Sequence, residues 1–400
     1  MNESVKLVHA DHTGMEKTRW DQTFSREEAE KVRAFHRSFP DYRKTPLVKL
    51  TGLAEVLGVR EVVVKDESYR FGLNAFKGLG GSYCIANYIV EKLQVPMEEM
   101  DYQRLTSAEV KEKLGDVTFV TATDGNHGRG IAWTANRLGV KSKVFMPKGS
   151  SEERLENIRA FGSDASITDM NYDDTVRYAK RVAEENGWPL VQDTAWEGYE
   201  KIPVWIMKGY MTMALEAAEE YGTVPTHIFL QAGVGAMSGA LTGFFADYYG
   251  KQKPIITIVE PNKADCIFRT AEAGDGRLHN VEGSLSTIMA GLACGEPCMI
   301  GWEELDAYAD NFMSVPDYVA AKGMRILGNP TGNDGRVISG ESGAAALGCA
   351  AEILQNESLE YIRRILKLDQ NSRILCFSTE GDTDKDNYRR IVWDGLYPSY

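Results

Sequence analysis

Between residues 107 and 192 the chain alternates short apolar, strand-like runs with helical ones, and the links between them are brief. Val117-Thr118-Phe119-Val120, Lys143-Val144-Phe145-Met146, Ala165-Ser166-Ile167 and Leu190-Val191 read as strands, the second stopped by Pro147. Between them lie helices over Gly130 to Leu138, ended by Gly139, from a Ser151 cap to Phe161, and over Asp173 to Glu185. A strand that returns parallel to its predecessor needs a crossover, usually a helix, so this alternation predicts parallel sheets. A second block repeats the pattern: strand His227 to Leu230, helix Ala236 to Tyr249, strand Ile255 to Val259, helix Ser342 to Leu354, strand Arg373 to Phe377. The expected class is therefore α/β, with two αβα layers, mostly parallel sheets and ligands at the carboxyl ends of the strands.

A chain of 400 residues with 43% hydrophobic and 26% charged residues has ordinary globular composition and length enough for two domains. A net charge of −13 argues against nucleic acid or an anionic membrane as partner. No apolar run approaches the roughly 20 residues needed to cross a bilayer, and the first residues, Met1-Asn2-Glu3-Ser4-Val5-Lys6, are too polar for a signal peptide. Six cysteines form no disulfide framework, which points to the reducing cytoplasm. Cys294-x3-Cys298 lacks a second pair or a histidine at zinc-like spacing, so no metal site is expected; Cys266 and Cys294 could bridge only where the fold brings them together.

Lys77, in Asn74-Ala75-Phe76-Lys77-Gly78-Leu79-Gly80-Gly81, follows the strand-like run Glu61 to Lys65 and opens a helix. Its amine is thereby set at a sheet's carboxyl edge and at the positive end of a helix dipole, which disfavours its charged form. A neutral amine is what a carbonyl cofactor such as pyridoxal 5'-phosphate needs for a Schiff base. Phe76 can pack against such a cofactor or serve as ordinary core. Gly233-Val234-Gly235-Ala236-Met237-Ser238-Gly239 lies between a strand and a helix, where successive amides and the helix dipole suit a phosphate. A dinucleotide turn is the rival, because Glu260 ends the next strand where a ribose-binding acid would sit. Thr123-Asp124-Gly125-Asn126-His127-Gly128 also joins a strand to a helix, and its amides can form a nest for a substrate carboxylate. His127 belongs either to that loop's chemistry or to the helix start. Asp193 ends the strand Leu190-Val191-Gln192 at the presumed active edge; by itself it reads as a cap or surface acid.

Taken in order, Thr45-Pro46-Leu47, Val64-Lys65-Asp66-Glu67, Asn74 to Gly78, Thr123 to Gly128, Gly233 to Gly239, Thr287 to Leu292, Glu341-Ser342-Gly343-Ala344 and Ser378-Thr379-Glu380-Gly381-Asp382 resemble the fold-type II pyridoxal-phosphate enzymes. Within that family the variants at these sites are most similar to the diaminopropionate ammonia-lyases. The resemblance implies a small domain, 86–226, inserted in a large cofactor-binding domain, 1–85 and 227–400, and a homodimer. It implies that Asn126 meets the cofactor's ring hydroxyl and that Ser378, with Thr379 as the alternative, faces the pyridine nitrogen. Related dehydratases carry serine where this chain has Asp124, on the cofactor face opposite the lysine. A carboxylate there is a stronger base, able to take the α-proton of a D-amino acid while Lys77 serves the L-isomer.

Two carboxylates, Asp124 and Asp193, suit a substrate with a second ammonium group, since a hydroxyl competitor would leave an acid unpaired. The expected activity is α,β-elimination of ammonia from 2,3-diaminopropionate. Its alternatives are a serine or threonine dehydratase of the same fold and an NAD-dependent oxidoreductase using the 233–239 loop.

Overall fold

The computed structural model describes residues 4–10, 17–123 and 125–399. Asp124 lies outside the described residues. Ten strands are present among the described residues: β1 (Lys6–His9), β2 (Leu47–Lys49), β3 (Glu61–Asp66), β4 (Thr118–Ala122), β5 (Lys141–Met146), β6 (Asp164–Ile167), β7 (His227–Gln231), β8 (Ile255–Pro261), β9 (Asn311–Val315) and β10 (Arg373–Ser378). Seven form one sheet in the order β1-β9-β8-β7-β10-β3-β2, and the other three form a second in the order β4-β5-β6. Only the edge strands β1 and β2 pair antiparallel; all other pairs are parallel, as the helical crossovers require. The α/β class, with two layered, mostly parallel sheets, is thus the observed one.

The large sheet is buried on both faces, which is why its strands read as continuous apolar runs. Val63, Ile228, Leu230, Ile258, Leu375 and Phe377 join one core with the helices Gly78–Leu93, Lys201–Tyr221 and Ala236–Tyr249. Their sequence neighbours Val62, Val64, Phe229, Val259, Ile374 and Cys376 join the other, with Asp317–Gly328 and Glu341–Gln355. The period of two along each strand divides them between the layers. The small sheet packs Asn126–Leu138 and Glu152–Arg159 on one face and Tyr172–Asn186 on the other. Every strand of the small sheet falls within 86–226 and every strand of the large one outside it. The helix Lys201–Tyr221 falls within that range too, yet it packs on Gly78–Leu93 and Arg26–Arg37, beside the large sheet.

A charged cluster fixes the turn between β3 and Lys77. Lys65 Nζ donates to Glu216 Oε2 at 2.8 Å and to the Thr45 carbonyl at 2.7 Å. Arg70 donates to Glu216 Oε2 at 2.7 Å and to Glu67 Oε2 at 2.8 Å. Two cations and two carboxylates therefore balance with essentially no exposure to water. Burial pushes the Glu216 carboxyl up, but Arg70 and Lys65 outweigh it and hold it at about 2. Glu216→Ala would strand Lys65 and Arg70 in a buried site with one partner, at a cost of about 3–5 kcal/mol. Chemical denaturation should register that loss; a variant within about 1 kcal/mol of the parent would contradict it.

Glu304, on the helix Met299–Tyr308, is wholly buried. One oxygen accepts the Thr18 hydroxyl, and the other makes no hydrogen bond among the described residues. Burial, with Asp21 and Glu303 nearby, pushes its pKa up to about 7. A folded value above the unfolded one, about 4.3, means the neutral form stabilises the fold. That stability is complete below pH about 4.3 and is lost as pH rises through about 7. Glu304→Gln should therefore raise Tm at pH 8.5 relative to the parent and leave it little changed at pH 5. An equal effect at both values would exclude titration of this group.

Candidate active site

Parallel strands aim their carboxyl ends one way, so the segments that follow them gather at one edge. Lys77 lies beyond β3, the 233–239 loop follows β7, and Thr379 follows β10. From the small sheet come Thr123 after β4, Pro147 to Ser150 after β5, and Asp193, which ends a stretch bridged to β4 through Leu190. These groups line one cavity of about 700 Å³ between the two sheets. That is ample for a cofactor and a small substrate together.

Lys77 is the N-cap residue of the helix Gly78–Leu93, and its side chain makes no cap bond. The helix Asn126–Leu138 crosses so close that a Cβ on Gly130 would stand 2.9 Å from the Lys77 carbonyl oxygen. This contact ties the small sheet's helix directly to the lysine's backbone. Lys77 Nζ donates to Asp193 Oδ2 and lies 5.3 Å from the centre of the Phe76 ring and 5.7 Å from that of Tyr210. The sequence led us to expect only the helix dipole acting on this amine; the carboxylate acts in the opposite sense.

Asp193 is nearly buried, and its second neighbour is His127, with Nδ1 at 3.6 Å from Oδ2. His127 Nε2 donates to the Val191 carbonyl at 2.8 Å, because a carbonyl can only accept. The neutral ring therefore turns the lone pair of Nδ1 toward Asp193, and that nitrogen makes no hydrogen bond among the described residues. Burial pushes the imidazole's pKa down, with Lys77 adding to the effect and Asp193 opposing it. For Asp193, burial raises the pKa, but His127 in its protonated form, the Lys77 charge and the Lys77 hydrogen bond hold it at about 2. A lysine and an imidazole thus both approach the same oxygen of one carboxylate.

Gly233, Val234, Gly235, Ala236 and Met237 all line the cavity. Gly235 adopts φ +90° as the N-cap of the helix Ala236–Tyr249, so the first-turn amides, which have no intrahelical acceptor, face the cavity end of that helix. This cradle fits a phosphate. Cys298 N–H and the Cys266 thiol take the Val234 and Gly233 carbonyls, at 2.7 and 3.7 Å. None of the six cysteines is in a disulfide in the structure. Glu260 is not free to bind a ribose: its two oxygens accept the amides of Ile267 at 2.9 Å and Phe268 at 2.6 Å, and it is buried. It caps the helix Cys266–Ala273. The nicotinamide alternative loses its acid.

Thr379 lines the cavity and Ser378 does not. Ser378 Oγ donates to Ser339 Oγ at 2.8 Å in the core, whereas Thr379 Oγ1 accepts from Gln231 Nε2 at 2.8 Å, which leaves its hydroxyl proton to donate elsewhere. The sequence had ranked Ser378 first; successive side chains of extended backbone point to opposite sides, and it is Thr379 that lines the cavity. Phe76, Thr123, Asn126 and His127 line the cavity too, while Gly125 does not. Thr123 Oγ1 accepts the amides of Gly125 at 3.0 Å and Gly128 at 3.2 Å, so part of the expected amide nest is satisfied internally. Among the described residues no group of three or more metal-ligating side chains occurs, and no helix is long and apolar enough to cross a membrane. The sequence reading missed Gln231 and most of the wall formed by residues 280–287, and it placed Ser342 and Glu380 in motifs without giving them a role. Gln231 could have been found as the last residue of β7; the wall has no period to betray it.

The model of the pyridoxal-phosphate dependent enzyme family matches residues 39–366. Diaminopropionate ammonia-lyase of Escherichia coli (strain K12) is 52% identical over 377 residues, covering 94% of this chain and 93% of the relative. The crystal structure of the holo form of Escherichia coli diaminopropionate ammonia-lyase superposes with a TM-score of 0.92 at 47% identity, covering 98% of each chain. The same enzyme in complex with an aminoacrylate-PLP azomethine reaction intermediate gives a TM-score of 0.90 at 47% identity, again over 98% of each chain. By the matching family model and these relatives, this chain belongs to the pyridoxal-phosphate dependent enzymes, in the family of the diaminopropionate ammonia-lyases.

Proposed function

We propose that the chain eliminates ammonia from 2,3-diaminopropionate, D and L, and so yields pyruvate and two molecules of ammonia per molecule of substrate and water. The observation that carries this reading is the Lys77–Asp193 pair in a cavity shared with the phosphate cradle and Thr379. When bound, pyridoxal 5'-phosphate supplies the electron sink that makes the substrate's α-proton acidic. Lys77 would hold the cofactor, and the amides of Gly233, Val234, Gly235, Ala236 and Met237 its phosphate. Phe76 would pack on the ring, Asn126 meet its hydroxyl, and Thr379 its nitrogen, with Ser378 behind. Thr123 and His127 would bound the substrate carboxylate's side, with Gly125 behind them.

Lys77 removes the α-proton of the L-isomer and Asp124 that of the D-isomer. The β-amine leaves as ammonia, with Asp193, ionised and paired with Lys77, or Asp124 guiding its protonation. The aminoacrylate released then hydrolyses to pyruvate. Asp124→Asn should slow the D-isomer more than the L-isomer; equal loss would make it a binding residue rather than a selector of face.

The test of the whole reading is pyruvate release from D- and L-2,3-diaminopropionate and from serine, alongside the visible spectrum. Release from diaminopropionate with little from serine supports it, and turnover of serine alone would return the chain to the dehydratases. The division into 1–85 with 227–400 and 86–226 is proposed with it, supported by the distribution of strands. Six cysteines without a disulfide support a cytoplasmic setting. The homodimer implied by the family resemblance is checked by sedimentation.

A further inference from the structure

Glu380 stands just beyond β10, and its backbone is held by the Gly340 amide donating to its carbonyl at 3.0 Å. Only 3% of the residue is exposed, yet it lines the cavity. Oε1 accepts the amide of Ser342 at 3.1 Å, in the first turn of the helix Glu341–Gln355. Oε2 accepts Asn126 Nδ2, and Thr383 Oγ1 at 3.3 Å. The seat is built to measure: a Cβ on Gly340 would lie 3.1 Å from Glu380 Cγ, and one on Gly381 would lie 2.1 Å from Asn74 Oδ1.

A carboxylate only accepts, so the Asn126 amide must turn its nitrogen toward Glu380. Its oxygen and its other N–H are then left to the cavity in a fixed orientation, and the adjacent charge polarises the amide. We propose that Glu380 is a positioning residue that orients and polarises Asn126 toward the cofactor. The proposal rests on the reading that Asn126 meets the pyridoxal ring. A group that merely capped the helix Glu341–Gln355 would act on stability and leave the cofactor unmoved.

The test is a double-mutant cycle on the full-length holoenzyme, with Glu380→Gln, Asn126→Ala and the pair, read by equilibrium dialysis against pyridoxal 5'-phosphate and by the visible band. Glu380→Gln keeps an acceptor for the Ser342 amide, but it cannot also serve Asn126 with a full carboxylate. Its dissociation constant for the cofactor should rise about tenfold and its band should shift. In the Asn126→Ala background the same change should add less than about twofold, because the route through Asn126 is already cut. Equal losses in both backgrounds, or an unshifted band at unchanged affinity, would overturn the proposal. Should Glu380→Gln fail to fold, Glu380→Asp keeps the charge at the helix end and withdraws it from Asn126 by one methylene, and the same cycle applies. A parent protein that holds no cofactor would overturn the site reading itself, whatever the variants do.

Discussion

Lys77→Ala should lose turnover of diaminopropionate by at least about 10³-fold, because it removes both the anchor for the cofactor and a base at the α-carbon. The same protein should keep its fold. Lys77 makes no side-chain cap on its helix, and the close packing beside it is backbone against backbone at Gly130. What the substitution leaves behind is the nearly buried Asp193, with His127 Nδ1 at 3.6 Å as its remaining close cation partner once that ring is protonated. The folded variant should therefore hold His127 charged to higher pH than the parent does, since a lone buried carboxylate raises a neighbouring imidazole. Pyruvate release measures the first effect, and imidazole chemical shifts against pH measure the second. An active variant lacking the visible band would refute the scheme.

Much of the fold was legible because local cues and the final packing agree. Ala236–Tyr249 runs between Gly235 and Gly250, both at positive φ, and its predicted bounds coincide with the observed ones. The strands β3, β7 and β10 lie at the centre of the large sheet, so their unbroken apolar runs survive as pattern. The helix Lys201–Tyr221 went unread: no side chain caps its start, and burial on nearly all sides erases an amphipathic stripe. For the site, the limit is distance along the chain. Lys77 meets Asp193 across 116 residues and Asn126 meets Glu380 across 254, so no local spacing announces either pair. Sequence placed Asp193 at the right edge and paired it with Asp124 as a substrate acid, but gave it no tie to Lys77. Only the fold brings it onto the lysine.

Asp193→Asn should cut kcat/KM by about 10²–10³-fold while leaving cofactor binding largely intact. Asparagine nearly matches the carboxylate in shape and can still accept from Lys77 Nζ, but it carries no charge and cannot take up the proton. With a folded pKa of about 2 against an unfolded value near 3.9, Asp193 favours the fold in its ionised form. That contribution is present above pH about 3.9 and is lost only as pH falls toward about 2, so the resting enzyme keeps the carboxylate charged throughout the neutral range. The defect in the variant should consequently be the same factor at pH 6.5 as at pH 8.5. A defect that disappears on the acid side would mean that Asp193 titrates in the working range and serves as a resting acid. A uniform defect confined to KM would make it a substrate anchor instead. A uniform loss in kcat, with the visible band retained, is the result that assigns it the proton passing between Lys77 and the leaving amine.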